Sequence, residues 1–168
     1  MTTTLEIPTV TTIDSPVGPL TLTAVGGALS GLSMDGQRHR RPTPSDWPRD
    51  REPFREVIDQ LDEYFAGRLR TFELPLHLEG TEFQCSVWAE LRRIPYGETI
   101  SYGELAARLG NTNASRAVGL ANGRNPVGII VPCHRVIGAD GSMTGYGGGV
   151  ERKVWLLEHE RAVLRLGS

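Results

Sequence analysis

Cysteine occurs only twice in this chain, at Cys85 and Cys133, and one of the two stands in a setting that can do chemistry. The run Pro132-Cys133-His134-Arg135-Val136 places an imidazole and a guanidinium directly after a thiol. A thiol reacts as its thiolate, and an unperturbed cysteine with a pKa of about 8.5 is mostly protonated at neutral pH. A neighbouring imidazole can take the proton, directly or through a water, and cationic surroundings favour the anion. A carboxylate behind the histidine would orient it and stabilise its charged form. Glu151, Glu158 and Glu160, all in the last amphipathic segment, are candidates. A buried structural cysteine beside a surface histidine would fit the same dipeptide. The two cysteines have no C-x-x-C spacing, and with four scattered histidines they form no zinc pattern. Two thiols cannot build a disulfide framework, and a reducing compartment argues against a Cys85–Cys133 bridge.

Downstream, Gly138 to Gly149 holds six glycines. Its end, Thr144-Gly145-Tyr146-Gly147-Gly148-Gly149, lacks the G-x-G-x-x-G order and any following Walker lysine, so phosphate cradling is set aside. It reads instead as a flexible wall that lets a planar ligand approach backbone.

These groups need a scaffold. The first third reads as β: Thr11–Ile13, Leu20–Val25 and Leu29–Met34 are short and rich in Thr, Val and Leu, with DSPVG and Gly26-Gly27 as turns. Asp35 to Pro53 has four prolines and no apolar period, which predicts an irregular surface connection. Phe54, Val57, Ile58, Leu61, Tyr64 and Phe65 then share one helical face, ended by Gly67. Gly80 marks a boundary. Thr81-Glu82-Phe83-Gln84 has capping-box form and opens a helix through Leu91, with Phe83, Val87 and Leu91 as its stripe. After the turn Pro95-Tyr96-Gly97, Ser101-Tyr102-Gly103-Glu104 is a second capping box, starting a helix that closes near Leu109-Gly110. Asn113 can cap another from Ala114 to about Gly123, which makes a helix-turn-helix unit. In that second helix Ala114, Ala117, Gly119 and Ala121 leave little bulk, suited to close helix packing or to a nucleic-acid backbone with Arg116 projecting. Val127–Val131 reads as a short buried strand or extended run stopped by Pro132, and Val150 to about Val163 as a closing amphipathic helix. The fold class expected is α+β: a sheet-plus-helix unit over residues 1–80, packed on a mostly helical domain over residues 81–168 that carries the helix-turn-helix.

Composition bounds the reading. With 168 residues, 39% hydrophobic and 23% charged, the chain fits a soluble globular protein. The opening MTTTLEIPTV has no basic start followed by an apolar run, and no stretch reaches the roughly 20 apolar residues of a membrane span, so the expected location is cytoplasmic, without a membrane partner. The net charge of −2 argues weakly against nucleic acid, but its distribution does not. From Arg92 to Arg135 six arginines face only Glu98 and Glu104, a local +4 able to supply a modest phosphate-binding face. A merely solvated surface explains the charge equally well.

Taken together, Arg116-Ala117-Val118-Gly119, Asn125-Pro126 and Pro132-Cys133-His134-Arg135-Val136 resemble the O6-alkylguanine-DNA alkyltransferase family. Pro95-Tyr96-Gly97, Ser101-Tyr102, Gly145-Tyr146 and Trp155-Leu156-Leu157 extend the resemblance from about Phe83 to Glu160. It implies DNA repair by direct, irreversible, single-use transfer of an alkyl group from O6 of guanine, with O4 of thymine as an open alternative, to Cys133. In that reading His134 takes the thiol proton through a water, Glu160 holds His134, Tyr102 donates a proton toward guanine N3, and Asn125 organises the active-site turn. Arg116 fills the gap left by the flipped nucleotide, with Ser101, Ala117 and Ala121 on the DNA side and Val136, Tyr146 and Gly147 beside the guanine. The partner implied is double-stranded DNA bound through its minor groove. The chain is expected to be a monomer in solution, with cooperative assembly on DNA left open. No cofactor is needed. Animal members carry zinc in the first unit, but this chain has no cysteine there and no metal is expected. A module that flips damaged bases without repairing them, and a Cys-His hydrolase, are the competing readings. Retained Cys133 counts against the first, and the lack of an oxyanion-hole motif against the second.

Overall fold

A computed structural model describes residues 7–143 and 145–167. Met1–Glu6 of the opening segment and Thr144 of the glycine-rich loop lie outside these.

Three strands, β1 (Thr9–Ile13), β2 (Leu20–Val25) and β3 (Ala28–Met34), form an antiparallel meander with a bulge between Thr23 and Ala24. Alternation decides the faces: Leu20, Leu22 and Ala24 point into the core while Thr21, Thr23 and Val25 do not. The stretch 35–53 is irregular, as its prolines require, until a 3-10 turn at Glu52–Phe54 leads into α1 (Arg55–Phe65). Helix α1 buries Val57, Ile58, Leu61 and Tyr64 in the apolar core it shares with the sheet.

The remainder is α2 (Glu82–Leu91), β4 (Ile100–Ser101), α3 (Tyr102–Arg108), α4 (Ser115–Gly123), β5 (Val136–Ile137) and α5 (Val150–Leu166). Thr81 and Gln84 form the full capping box of α2, with Oγ1 and Oε1 accepting from the reciprocal backbone N–H groups. The stripe of α2 is rotated from expectation. Phe83 is exposed, and Trp88 is buried in its stead, its indole N–H donating to the Ala121 carbonyl on α4. Ser101 caps α3 by accepting from Glu104 N, but the Glu104 carboxylate turns to Arg108. Asn113 does not cap α4; that helix begins after Ala114 with no side-chain cap, and Asn111 Oδ1 instead accepts from Asn113 N in the turn.

Val127–Val131 is not a strand. Val127 makes one parallel bridge to Leu32, and the chain then coils tightly, with Val131 N donating to Val127 O and Ile129 in the left-handed region at φ +68°. The β-branched run suggested extension, but the side chain of Asn125 clasps both ends. Its Nδ2 donates to Val131 O at 2.8 Å, and its Oδ1 accepts from Val127 N at 3.0 Å. The turn holds Cys133–Arg135 in a 3-10 turn that runs straight into β5. Parallel pairing of β5 with β4, Ile100 opposite Val136, joins the cysteine segment to the start of α3. One contiguous apolar core links the sheet, α1, α2 and the cysteine turn.

Candidate active site

Cys133 is a free thiol, 7% exposed, at the base of a narrow cleft of about 280 Å³ counted to its open mouth. Asn122, Asn125, Gly145, Tyr146 and Gly148 are among its walls. Cys85 is free and partly buried on α2, outside the cleft. The thiol is not activated by its surroundings in the way its basic neighbours suggested. Burial pushes the Cys133 pKa up, outweighing the pull of the Asn125 side chain and the Lys153 charge. The resting sulfur is therefore protonated, and reaction requires a base.

His134, the next residue, is wholly buried. Its Nε2 lies 2.7 Å from Glu160 Oε2, and its Nδ1 has no partner among the described residues. A carboxylate offers only lone pairs, so Nε2 carries the proton. Burial lowers the His134 pKa against the opposing pull of Glu160, so the ring is neutral and Nδ1 keeps a bare lone pair. Glu160 is the orienting carboxylate, and Glu158 is exposed. Glu160 accepts from five donors: Tyr64 OH at 2.6 Å, His134, Gly97 N at 3.0 Å, and Arg135 through Nε at 2.9 Å and Nη2 at 3.0 Å. Burial alone would raise its pKa; hydrogen bonds and charge from His134 and Arg135 hold it far below the usual carboxylate range. Tyr64 is pushed well above its ordinary value by burial and by that carboxylate, so its hydroxyl remains a donor.

Tyr102, at the first position of α3, reaches across to the glycine loop. A Cβ on Gly145 would lie 2.8 Å from its hydroxyl, and φ there is +84°, so only glycine lets the loop close on this ring. Burial and the Cys133 sulfur raise the Tyr102 pKa, against a hydrogen bond from Asn122, which keeps it a neutral donor. Tyr146 is buried along the cleft with its hydroxyl 3.9 Å from Met34 Sδ, and Gly147 O accepts from Arg38 N. Val136 is buried, and its carbonyl accepts from Lys153 Nζ at 2.6 Å. Ser101 sits beside Tyr102 as the α3 cap.

On α4, Arg116 and Ala117 are exposed, but Ala121 is not where the small-residue pattern placed it. It is 3% exposed, turned inward with Val118 beneath Trp88, and cannot meet a macromolecule. The outward apolar group is Leu120, 68% exposed one turn beyond Arg116.

Sequence reasoning missed Lys153, Tyr64 and Asn122 as parts of this assembly, and the bond of Arg135 to Glu160. Lys153 is fully buried on α5, its pKa brought down to about 8 by burial against the sulfur's opposing pull, and its Nζ lies 5.9 Å from the Tyr102 ring centre. Spacing could have found it: Lys153, Leu156, Leu157 and Glu160 fall on one helical stripe, so a lysine there faces the core. Lys153→Met, which keeps length and removes charge, is expected to slow iodoacetamide labelling of Cys133 at pH 8 by up to roughly tenfold, one pKa unit of thiolate population. Unchanged labelling would show that the ammonium does not act on the sulfur.

Comparison with known proteins identifies the family. The model of the 6-O-methylguanine DNA methyltransferase DNA binding domain fits residues 82–162, and that of its ribonuclease-like domain fits residues 9–78. The chain belongs to the 6-O-methylguanine DNA methyltransferase family. A methylated-DNA–protein-cysteine methyltransferase of Mycobacterium bovis is 56% identical over 151 residues, 90% of this chain and 91% of that protein. One from Methanosarcina acetivorans is 51% identical, covering 88% and 94% of the two chains. The crystal structure of Mycobacterium tuberculosis OGT in complex with DNA superposes with a TM-score of 0.87 at 54% identity, over 92% of this chain and 94% of that one. The family's α+β fold with a helical C-terminal domain is the one described above. Among the described residues, no helix is long and apolar enough to cross a membrane.

Proposed function

We propose that this member of the family repairs DNA by moving an alkyl group from O6 of guanine onto Cys133. Alkyl transfer from DNA to a protein cysteine is the family's activity. The observation that carries the assignment to Cys133 is the bare Nδ1 of a neutral His134, held by Glu160 immediately after a protonated thiol that opens onto a cleft. His134 takes the thiol proton through a water, and the sulfur attacks the alkyl carbon in line. The S–C bond forms as the C–O6 bond breaks. Tyr102 gives a proton to the departing purine at N3, making guanine a better leaving group, and the proton accepted by His134 replaces it. The products are a thioether and neutral guanine, which regains its ordinary form when the proton delivered at N3 exchanges to N1. The thioether has no leaving group of comparable quality, so each molecule acts once and needs no cofactor.

The base must leave the duplex to reach the cleft, at an unstacking cost of a few kcal/mol. Helix α4 enters the minor groove, where Ala117 permits close approach, Leu120 lies along the groove wall and Arg116 occupies the space the nucleotide vacates. Tyr146 and Gly147 wall the extruded guanine. Residues 1–80 form the supporting unit and residues 81–168 the one that meets DNA, acting as a monomer in the cytoplasm.

Incubation with an O6-methylguanine duplex, followed by intact mass and peptide mapping, tests the assignment. Addition of one methyl group at Cys133 is expected. Methylation at Cys85 would overturn it, and tight lesion binding with no mass change would make the protein a binding module. Arg116→Ala is expected to weaken base extrusion, read by 2-aminopurine fluorescence opposite the lesion, more than it weakens salt-dependent association. Equal loss of both would reduce Arg116 to a phosphate contact.

A further inference from the structure

The arginines from Arg92 to Arg135 do not share one face. Arg116 and Arg124 are exposed on and just after α4, whereas Arg92 and Arg93, also exposed, stand with the buried Arg135 around an open cavity behind the cysteine turn. This cavity, about 570 Å³ counted to its mouth, has no lining residue in common with the Cys133 cleft. Arg70 is a fourth guanidinium in its wall, and no Asp or Glu lines it. The four come from three separate stretches: the segment after α1, the end of α2, and the 3-10 turn of Cys133–Arg135. Tyr96 fixes two of them, with Arg70 Cζ 5.8 Å and Arg135 Cζ 5.5 Å from its ring centre. Among the described residues Arg70 and Arg92 make no ion pair, and Arg93 reaches Glu90 only at 4.0 Å. Only Arg135, bound to Glu160, is neutralised at short range.

Guanidiniums gathered in a cavity without carboxylates repel one another and focus a positive field into it. Their planar forks suit the tetrahedral oxygens of phosphate. We propose that this cavity is a phosphoanion site separate from the alkyl-transfer cleft. It takes a phosphate group presented by a free di- or triphosphate, or by the backbone of a DNA segment beyond the one that carries the lesion. The proposal is independent of which cysteine is alkylated.

Titrating pyrophosphate into the ¹⁵N-labelled full chain tests it. Saturable amide shifts are expected at Thr71 and from Arg92 to Ile94, with binding at least about tenfold weaker in Arg70→Gln/Arg92→Gln, as loss of charge-assisted hydrogen bonds implies. No saturable shift, shifts confined to the Arg116 and Arg124 face, or equal binding by the double variant would each overturn the proposal. The salt dependence of binding to an undamaged duplex separates the two sources. If backbone phosphate occupies the site, the slope of log K against log salt falls by about 1 to 2 in the double variant. An unchanged slope with weakened pyrophosphate binding assigns the site to a free phosphoanion.

Discussion

Glu160→Ala is expected to destabilise the protein by roughly 3–5 kcal/mol, the cost of removing one partner from a buried ion pair. The substitution takes away the acceptor for Tyr64 OH, Gly97 N, His134 Nε2 and two Arg135 nitrogens together, and leaves the Arg135 charge in the interior. Domains of this size have total stabilities of only about 5–15 kcal/mol, so the midpoint of urea unfolding should fall sharply. The sign of the pH effect follows from the same contacts. The folded pKa of Glu160 lies below its unfolded value of 4.5, so its contribution is complete above that value and is lost as the pH falls toward the folded pKa. Wild type should therefore lose stability steeply in acid, and Glu160→Ala should lack that limb. A destabilisation below about 1 kcal/mol, or an unaltered acid limb, would mean that the network does not hold the fold.

His134→Ala is expected to lower the rate of alkyl transfer at pH 7 by about 10²- to 10⁴-fold, the usual yield of general-base assistance. Glu160 keeps its bonds to Tyr64, Gly97 and Arg135 in this variant, so its carboxylate is still satisfied. Because burial holds the Cys133 thiol above its ordinary pKa, the fraction already ionised then sets the rate. That fraction grows about tenfold for each pH unit below the thiol pKa, so the variant should recover in alkali while wild type changes less. A deficit that stays constant from pH 7 to 10 would assign His134 a structural role alone.

What the sequence revealed was the chemistry carried by neighbours in the chain, and what it concealed was the chemistry assembled across space. Cys133 and His134 are adjacent, and Glu160 stood among three candidate carboxylates on a helix whose period was clear. The α3–α4 pair was marked by Ser101 and by a turn of small polar residues. By contrast, Val127–Val131 looked extended because β-branched residues favour strands, and nothing local announces that Asn125 will clasp both ends and put Ile129 in the left-handed region. Ala121 was misplaced because alanine carries no signal of which helix face it occupies, and Trp88 claims it from another helix. Arg135 and Lys153 carry no local mark of burial, although each is held by buried acceptors distant in sequence.

The hydroxyl of Tyr64 ends on a carboxylate that lies 96 positions later. A gene fragment beginning near residue 81 would encode Cys133, His134 and Glu160, yet would lose Gln37 from the cleft wall, deny that carboxylate one of its donors and expose the berth the tyrosine fills. Inheritance of the two halves is thus bound together by an atom that lies outside the cleft, and split copies of this gene should regain function only when both polypeptides are made in the same cell.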